Sequence, residues 1–275
     1  MFKLGVLMSV YKRDDPALFR RAIASIFGQK FSTPVELRIY LGVDGPVPEP
    51  LHAAIESYAA RIYKLFWFEQ NRGLARTLND LIAAREDEDF FFRMDADDVS
   101  KAERFERQLG YMQEHPGVDI LGTDIVEVDE ARGAERIVCF AHSSDDARES
   151  ISRRCPVAHP TVCFRPRVFD KVPGYPPIRQ NEDLAMWFEC MIAGLVIDNL
   201  HEPLYRFRFD ENFWRRRTFL RPWTEFLIYV RGLWRLEGVT WKYINPAIRL
   251  LIRVAPLRLQ RMLYSSSLRA RKTSD

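Results

Sequence analysis

Several features are scarce or missing in this sequence of 275 residues, and each absence argues against a class of protein. Its four cysteines are widely spaced and include no CxxC pair, which argues against a zinc module and predicts reduced thiols in a cytosolic protein. No apolar run approaches the roughly 20 residues of a membrane span. The N-terminal segment also lacks a small-residue cleavage site, so we expect it to form a first strand.

Two common phosphate-binding motifs are also missing. No GxGxxG follows the first apolar segment, and GxxxxGK[ST] occurs nowhere in the chain. A phosphate ligand of this protein must therefore be held mainly by a metal ion and by side chains.

Charge is distributed unevenly along the chain. Residues 1–212 contain 27 basic and 35 acidic residues, a net charge of −8, whereas residues 213–275 contain 14 and 3, a net charge of +11. The basic part interleaves arginine with Trp, Phe and Leu, which is typical of an amphipathic segment at an anionic membrane surface. Two alternatives stay open for it: a helical unit packed on the rest of the chain, and nucleic-acid binding.

Apolar segments alternate with amphipathic helical patterns over the first 130 residues. Strands are predicted at about residues 3–10, 35–43, 63–68, 89–94 and 118–128. Of the helices between them, the first is predicted to be capped by Asp15 and the last to open with a capping box of Ser100 and Glu103. This order predicts an α/β fold, with a mainly parallel central sheet between two layers of helices. Residues 140–212 are less regular, with a helix from Asp183 to about Ala193 and short strands in TVCFR, LVIDNL and LYRFRF.

The informative polar residues fall in the predicted loops at the carboxyl ends of the strands, where ligands of such sheets bind. They are Tyr11, Asp44, Asn71, Arg72 and the acidic run Asp95, Asp97 and Asp98. In an extended MDADD segment, Asp95 and Asp97 would share a face and suit Mg²⁺ or Mn²⁺. An acidic turn with a helix cap is the alternative, and Asp44 is equally compatible with a plain turn in GVDGP.

Seven segments, in order, resemble the family 2 glycosyltransferases of GT-A fold, and especially the bacterial enzymes that assemble capsule, exopolysaccharide or O-antigen repeat units. They are MSVYKRDDP, GVDGP, NRGLARTLN, FFFRMDADDVS, RFERQLGYMQEHP, VAHPTVCFR and QNEDLAMW, and the resemblance covers residues 3–208. It implies a Rossmann-like three-layer catalytic domain at 1–212, with a nucleotide-sugar half at about 1–130 and an acceptor half at about 131–212. A basic helical tail at 213–275 would follow.

The resemblance also implies roles for the loop residues. Tyr11, Asp44 and Arg72 would surround the nucleobase of a UDP-sugar, with Asn71 in the same loop. Asp95 would lie near the ribose, and Asp97, with Asp95 beside it, would hold the Mn²⁺ or Mg²⁺ ion that bridges the diphosphate. Such a cation stabilises the charge that develops on the leaving group.

On the acceptor side, an inverting transfer needs a base that takes the proton of the attacking hydroxyl. The family places it on the aspartate of an ED pair, which maps onto Asp183 with Glu182 beside it. Taken alone, both acids would equally complement a helix N-terminus. His159 matches a position near the acceptor, although a histidine beside proline is also a common structural residue.

One departure from the family pattern follows Tyr205 and Arg206. Many relatives carry a histidine two residues after that arginine, able to reach the metal or diphosphate, whereas this chain has Arg208. Arginine binds phosphate but does not ligate a metal. Arg206 and Arg208 are therefore expected on the diphosphate or acceptor side.

The function expected from these residues and the resemblance is inverting transfer from a UDP-sugar to a lipid-linked saccharide, by a cytoplasmic protein peripheral on the inner face of the cell membrane. Two alternatives stay open: a nucleotidyltransferase that makes a nucleotide sugar, and a non-catalytic saccharide-binding protein on the membrane.

Overall fold

The computed structural model describes residues 1–209 and 221–255. Its strands are β1 (Phe2–Val10), β2 (Val35–Val43), β3 (Lys64–Trp67), β4 (Phe90–Met94), β5 (Val99–Ser100), β6 (Ile120–Asp129), β7 (Ala134–Val138), β8 (Cys163–Phe164) and β9 (Ile197–Arg208). Its α-helices are α1 (Pro16–Phe27), α2 (Glu49–Glu56), α3 (Leu74–Ala83), α4 (Arg104–Glu114), α5 (Ser144–Ser150), α6 (Arg167–Lys171), α7 (Glu182–Ile192), α8 (Arg221–Glu237) and α9 (Ile244–Val254).

The described strands form one sheet in the order β3-β2-β1-β4-β8-β6-β9-β5, with β7 paired to β6. β1 is parallel to β2 and β4, β2 to β3, and β6 to β9. The antiparallel pairings involve the shorter strands β5, β7 and β8. The predicted α/β fold with a mainly parallel sheet is confirmed, and the carboxyl ends of β1–β4 lie along one edge.

The two faces of the sheet bury different cores, as the alternation of side chains along β1 shows. Leu4, Val6 and Met8 pack in the core that includes residues of α1, α2 and α4. Leu7, which points the other way, packs in the core that includes residues of α3, α7 and α8. The predicted three layers follow from this division.

The N-terminal ends of α1 and α4 are capped differently. The Asp15 carboxylate accepts from the backbone N–H groups of Ala17 at 2.8 Å and Leu18 at 3.1 Å, as predicted. The predicted capping box of α4 is wrong. Ser100 lies in β5, opposite Tyr205, and Glu103 makes no side-chain cap bond. Instead, the Gln29 side chain, which follows α1, accepts from the backbone N–H of Phe105 at 3.0 Å.

The last two predicted strands are continuous with each other. Most of LVIDNL and LYRFRF lies in a single strand, β9, whose register against β6 shifts at Thr123–Ile125. A bulge of this kind lets one long strand change direction without breaking.

Helices α8 and α9 form a hairpin that packs on α7. A Cβ atom at Gly232 would lie 2.3 Å from the Phe188 ring, so the helices approach closely at that glycine. In the described residues, no helix has both the length and the apolar character needed to cross a membrane. Residues 210–220 and 256–275 lie outside the described residues, and with them the segments 213–220 and 256–275 of the predicted basic tail.

Candidate functional site

Four loops meet at the carboxyl edge of β1–β4. Tyr11 follows β1, Asp44 follows β2, Arg72 follows β3, and Asp95 follows β4. Because β3, β2, β1 and β4 are parallel neighbours in the sheet, these four loops lie side by side at the edge where ligands of such sheets bind. The backbone N–H of Tyr11 donates to the Asp14 carboxylate at 2.9 Å, which turns the first loop at this edge.

Asp44 joins the second and third loops. Its buried carboxylate accepts from the Asn71 side-chain amide at 2.9 Å, from the Arg72 N–H at 2.7 Å and from the Gly73 N–H at 2.9 Å. At Gly45, φ is +87° and a Cβ atom would lie 2.6 Å from the Asn71 nitrogen, so the GVDGP turn needs glycine there. The structure therefore brings Asp44, Asn71 and Arg72 together, as the sequence predicted.

The Arg72 guanidinium is fixed from two sides. It forms an ion pair with Asp80 of α3 and lies 3.9 Å above the centre of the Phe68 ring. Its side chain is about one third exposed, which leaves it accessible to a ligand at the loop edge.

The acidic run after β4 forms a turn, so the expectation of an extended segment is wrong. Asp95 pairs with the buried Arg93, and its backbone N–H donates to the Tyr205 hydroxyl at 3.2 Å. Asp98 is buried and accepts from the Arg208 N–H at 2.7 Å, which ties the turn to β9. Burial, with the charges of Asp95 and Asp97, raises the pKa of Asp98 well above its usual value.

The turn divides the three carboxylates by role. Asp98 is enclosed and anchors the loop, whereas Asp95 and Asp97 are partly exposed. In residues 1–209 and 221–255, no group of three His, Cys, Asp or Glu side chains is placed to hold a metal. Asp95 and Asp97 fit a hard cation that takes its other ligands from phosphate and water, which is the usual coordination of Mg²⁺.

A buried arginine beneath the acidic turn is a site residue that the sequence reasoning missed. Arg93 of β4 is fully buried, pairs with Asp95, and has its backbone carbonyl bonded by Arg104 at 3.0 Å. Its charge also reaches His159, whose pKa is held well below its usual value by burial and then by Arg93. A single charged residue in the apolar segment FFFRM was the available signal.

His159 and Tyr175 form a polar pair within reach of the Arg93 charge. The His159 Nε2 is 2.8 Å from the Tyr175 hydroxyl, and the His159 ring packs edge-on toward Trp187 of α7. The Asn79 side chain of α3 holds the Tyr175 backbone, accepting from its N–H at 2.7 Å and donating to its carbonyl at 2.8 Å. Sequence reasoning missed Asn79 and Tyr175 because nothing in their local pattern predicts that they meet.

The predicted base lies at the start of α7, next to this pair. Glu182 and Asp183 occupy the first turn of α7, and their charges add to burial in raising the pKa of Tyr175. Asn181, before them, has a left-handed backbone with φ of 58°, a conformation that asparagine adopts more readily than most residues other than glycine. The two acids are therefore near enough to Tyr175 for their charges to act on its hydroxyl, which contacts His159.

Arg206 and Arg208 of β9 lie beside the acidic turn, because β5 pairs with β9 at Arg206. Their guanidinium groups are ion-paired to acids around the β6–β7 turn, Arg206 with Glu135 and Arg208 with Glu130. A diphosphate that bound either guanidinium would compete with these carboxylates.

The amino-acid sequence that forms these loops also matches a known protein family. The family model described as "Glycosyl transferase family 2" matches residues 5–182. The chain belongs to this family. It is therefore a glycosyltransferase. The family match supports neither of the two alternatives, a nucleotidyltransferase or a non-catalytic saccharide-binding protein.

Three relatives match this family 2 glycosyltransferase over nearly their whole length. An uncharacterized glycosyltransferase of Haemophilus influenzae is 30% identical over 97% of this chain and 99% of its own. The amylovoran biosynthesis glycosyltransferase AmsE of Erwinia amylovora is 29% identical over 94% and 97%. An Escherichia coli UDP-Gal:alpha-D-GlcNAc-diphosphoundecaprenol beta-1,3-galactosyltransferase is 27% identical over 97% of both chains.

Solved structures agree on the fold. TarS 1–349 of S. aureus, in complex with UDP-GlcNAc, superposes with a TM-score of 0.68 at 16% identity, over 92% of this chain and 72% of that one. The mannosyltransferase PcManGT of Pyrobaculum calidifontis, with GDP-Man and Mn²⁺, gives 0.60 at 11% identity, over 96% and 79%. The predicted GT-A fold is thereby confirmed.

Proposed function

We propose that this family 2 glycosyltransferase moves a sugar from a UDP-sugar to a lipid-linked saccharide during the synthesis of a bacterial surface polysaccharide. One observation carries the proposal: the buried Arg93 pairs with Asp95 of the acidic turn, and its charge also reaches His159, which contacts Tyr175 and packs toward Trp187 of α7. Acids suited to a donor diphosphate and acids suited to an acceptor hydroxyl thus border one site. The names of the AmsE and undecaprenol-linked relatives support the pathway and the acceptor class.

In this proposal the joined second and third loops bind the nucleoside of the donor. Tyr11 and Arg72 would border the base, and the Asp44 carboxylate, with three donors already bound, retains lone-pair capacity for one further N–H. Because Asp44 already fixes Asn71 and the Arg72 backbone, the pocket needs little rearrangement to accept a ligand. TarS in complex with UDP-GlcNAc supports a uridine donor through its likeness of fold.

Asp95 and Asp97 would hold Mg²⁺ or Mn²⁺ at the acidic turn. When bound, that cation would neutralise charge developing on the departing diphosphate. Arg93 keeps the Asp95 carboxylate in place from beneath, and Asp98 keeps the turn attached to β9.

The proposed transfer inverts the configuration of the anomeric carbon. The acceptor oxygen forms a bond to that carbon as the bond to the β-phosphate oxygen of the donor breaks, and UDP leaves with the electron pair. Asp183 takes the proton of the acceptor hydroxyl, while Glu182 lies beside it in the first turn of α7. The neutral His159 imidazole and the Tyr175 hydroxyl would hydrogen-bond sugar hydroxyl groups.

Location follows from the acceptor class in this proposal. A lipid-linked acceptor places the enzyme at the inner face of the cell membrane, with the basic residues 213–275 toward anionic lipid.

Calorimetric titration of UDP, with and without Mn²⁺, tests the donor site. We expect Mn²⁺ to tighten UDP binding at least tenfold in the wild type and to have little effect on Asp97→Ala. Asp145→Ala, which removes an exposed carboxylate of α5, is the matched control and should retain the Mn²⁺ effect. Equal UDP affinity with and without Mn²⁺ in the wild type would contradict the metal assignment, and no UDP binding at all would contradict the donor.

A further inference from the structure

The helical hairpin at the end of the described chain presents an unusual surface. On α8, the exposed side chains of Trp223, Leu227 and Trp234 recur at helical spacing on one face, with 47, 63 and 61% of their surface accessible. On α9, Ile244, Ile248 and Leu251 do the same, at 54, 49 and 68%. The turn between the helices adds Trp241, which is 76% exposed. We call these seven residues the hairpin apolar face.

Helix α9 is oriented against the usual rule for surface helices, which turn their charges outward. Arg249 and Arg253 point inward and pair with the buried Glu225 of α8. Arg249 also donates to the Arg153 carbonyl at 3.2 Å and lies over the Tyr229 ring. Because the charges are used to hold the hairpin together, the outer surface of α9 is left to aliphatic side chains.

Exposed apolar side chains at helical spacing on both helices and at the turn between them mark an interaction site. Two properties favour lipid as its occupant. Three exposed tryptophans suit the headgroup level of a bilayer, where the indole ring is half buried and its N–H stays hydrated. The surrounding segment 221–255 has 6 basic and 2 acidic residues, so it complements an anionic surface.

The same charge disfavours a second copy of this chain. A two-fold interface would bring two identical segments together, each with 6 basic and 2 acidic residues, and the like net charges would repel. An anionic bilayer meets this segment with opposite charge and offers apolar depth for the seven side chains.

We propose that the hairpin apolar face inserts into the interfacial layer of an anionic membrane. This inference rests on the proposed lipid-linked acceptor and adds the surface and the mode of contact: apolar insertion by α8 and α9, with Arg249 and Arg253 kept inside the hairpin.

The mode of contact also relates the membrane to the catalytic residues. The hairpin packs on α7 at Phe188 and Glu189, the latter paired with Arg235. Asp183 lies on that same helix, about 8 Å along its axis from Phe188 at the usual rise per residue. Docking through the hairpin therefore fixes the height of the proposed base above the bilayer.

Sedimentation of the full-length protein with vesicles of phosphatidylglycerol and phosphatidylcholine tests the inference. We expect the wild type to bind, and Leu227→Ser/Trp234→Ser and Ile248→Ser/Leu251→Ser each to weaken binding by about tenfold or more. The replaced side chains are exposed, so circular dichroism and the melting temperature should not change. Ile137→Ser, at a position 48% exposed on β7, is the matched control and should bind as the wild type does.

Three outcomes would overturn the inference. In the first, the wild type does not sediment with vesicles. In the second, the hairpin variants sediment as the wild type does. In the third, the wild type forms a concentration-dependent dimer that the hairpin variants abolish, which would make a second copy of this chain the occupant. Vesicle binding is measured without nucleotide, whereas the proposed activity is measured as UDP release with a water-soluble acceptor analogue. UDP release without vesicle binding would contradict the membrane surface alone. Vesicle binding without UDP release would contradict the proposed function alone.

Discussion

Asp44 is the residue on which the geometry of the loops after β2 and β3 depends. Replacing it by alanine leaves three donors of the neighbouring loop without their acceptor in a buried place. We expect Asp44→Ala to lower the free energy of unfolding by about 2–4 kcal/mol and to weaken UDP binding severely. Urea denaturation and calorimetry measure the two effects. The control is Asp145→Ala, which removes an exposed carboxylate and should leave stability nearly unchanged. An equal loss of stability in both variants would refute the special role of Asp44.

Asp183 is expected to act in the chemical step alone. Asp183→Asn keeps the size of the side chain and removes its basicity, so UDP release should fall by about 10²–10⁴-fold while UDP affinity stays within about twofold of the wild type. Glu182→Gln provides the control beside it and should lose far less activity. Turnover of Asp183→Asn near the wild-type rate would assign the base elsewhere.

At the scale of elements, the contact between α7 and α8 depends on one glycine. In Gly232→Ala the new methyl group would lie 2.3 Å from the Phe188 ring, so the helices must separate. We expect a loss of about 1–3 kcal/mol in the free energy of unfolding, partly recovered in Gly232→Ala/Phe188→Leu. Gly110→Ala in α4, where nothing lies within 4 Å of the added atom, should instead stabilise the protein slightly. Thermal and urea denaturation of the wild type and these three variants would measure the differences in stability.

The sequence predicted most elements and their order because strands β1–β4 and the helices between them have clear apolar periods. The predictions went wrong where tertiary contacts override local signals. Ser100 looked like a helix cap, but it is taken up by pairing with β9, and Gln29 from another element caps α4 instead. Among site residues, the loop positions could be predicted from strand ends. The meeting of Asn79 with Tyr175 could not, because they lie 96 residues apart in sequence.

At the scale of the whole molecule, charge changes sign along the sequence. Residues 1–212 carry a net charge of −8 and residues 213–275 a net charge of +11. Near an anionic bilayer an acidic part is repelled and a basic part attracted, so this charge distribution favours an approach through the basic part. The described hairpin belongs to that basic part, since residues 221–255 contain 6 basic and 2 acidic residues.

The placement of the tryptophans gives this protein a built-in optical signal. Of the five described tryptophans, Trp187 is buried, while Trp67, Trp223, Trp234 and Trp241 are 41–76% exposed. Three of these four lie on the hairpin, so the emission of the described tryptophans reports largely on the polarity around that surface. Transfer of those indoles from water into lipid headgroups would move their emission to shorter wavelength, and docking could be followed in real time without any attached dye.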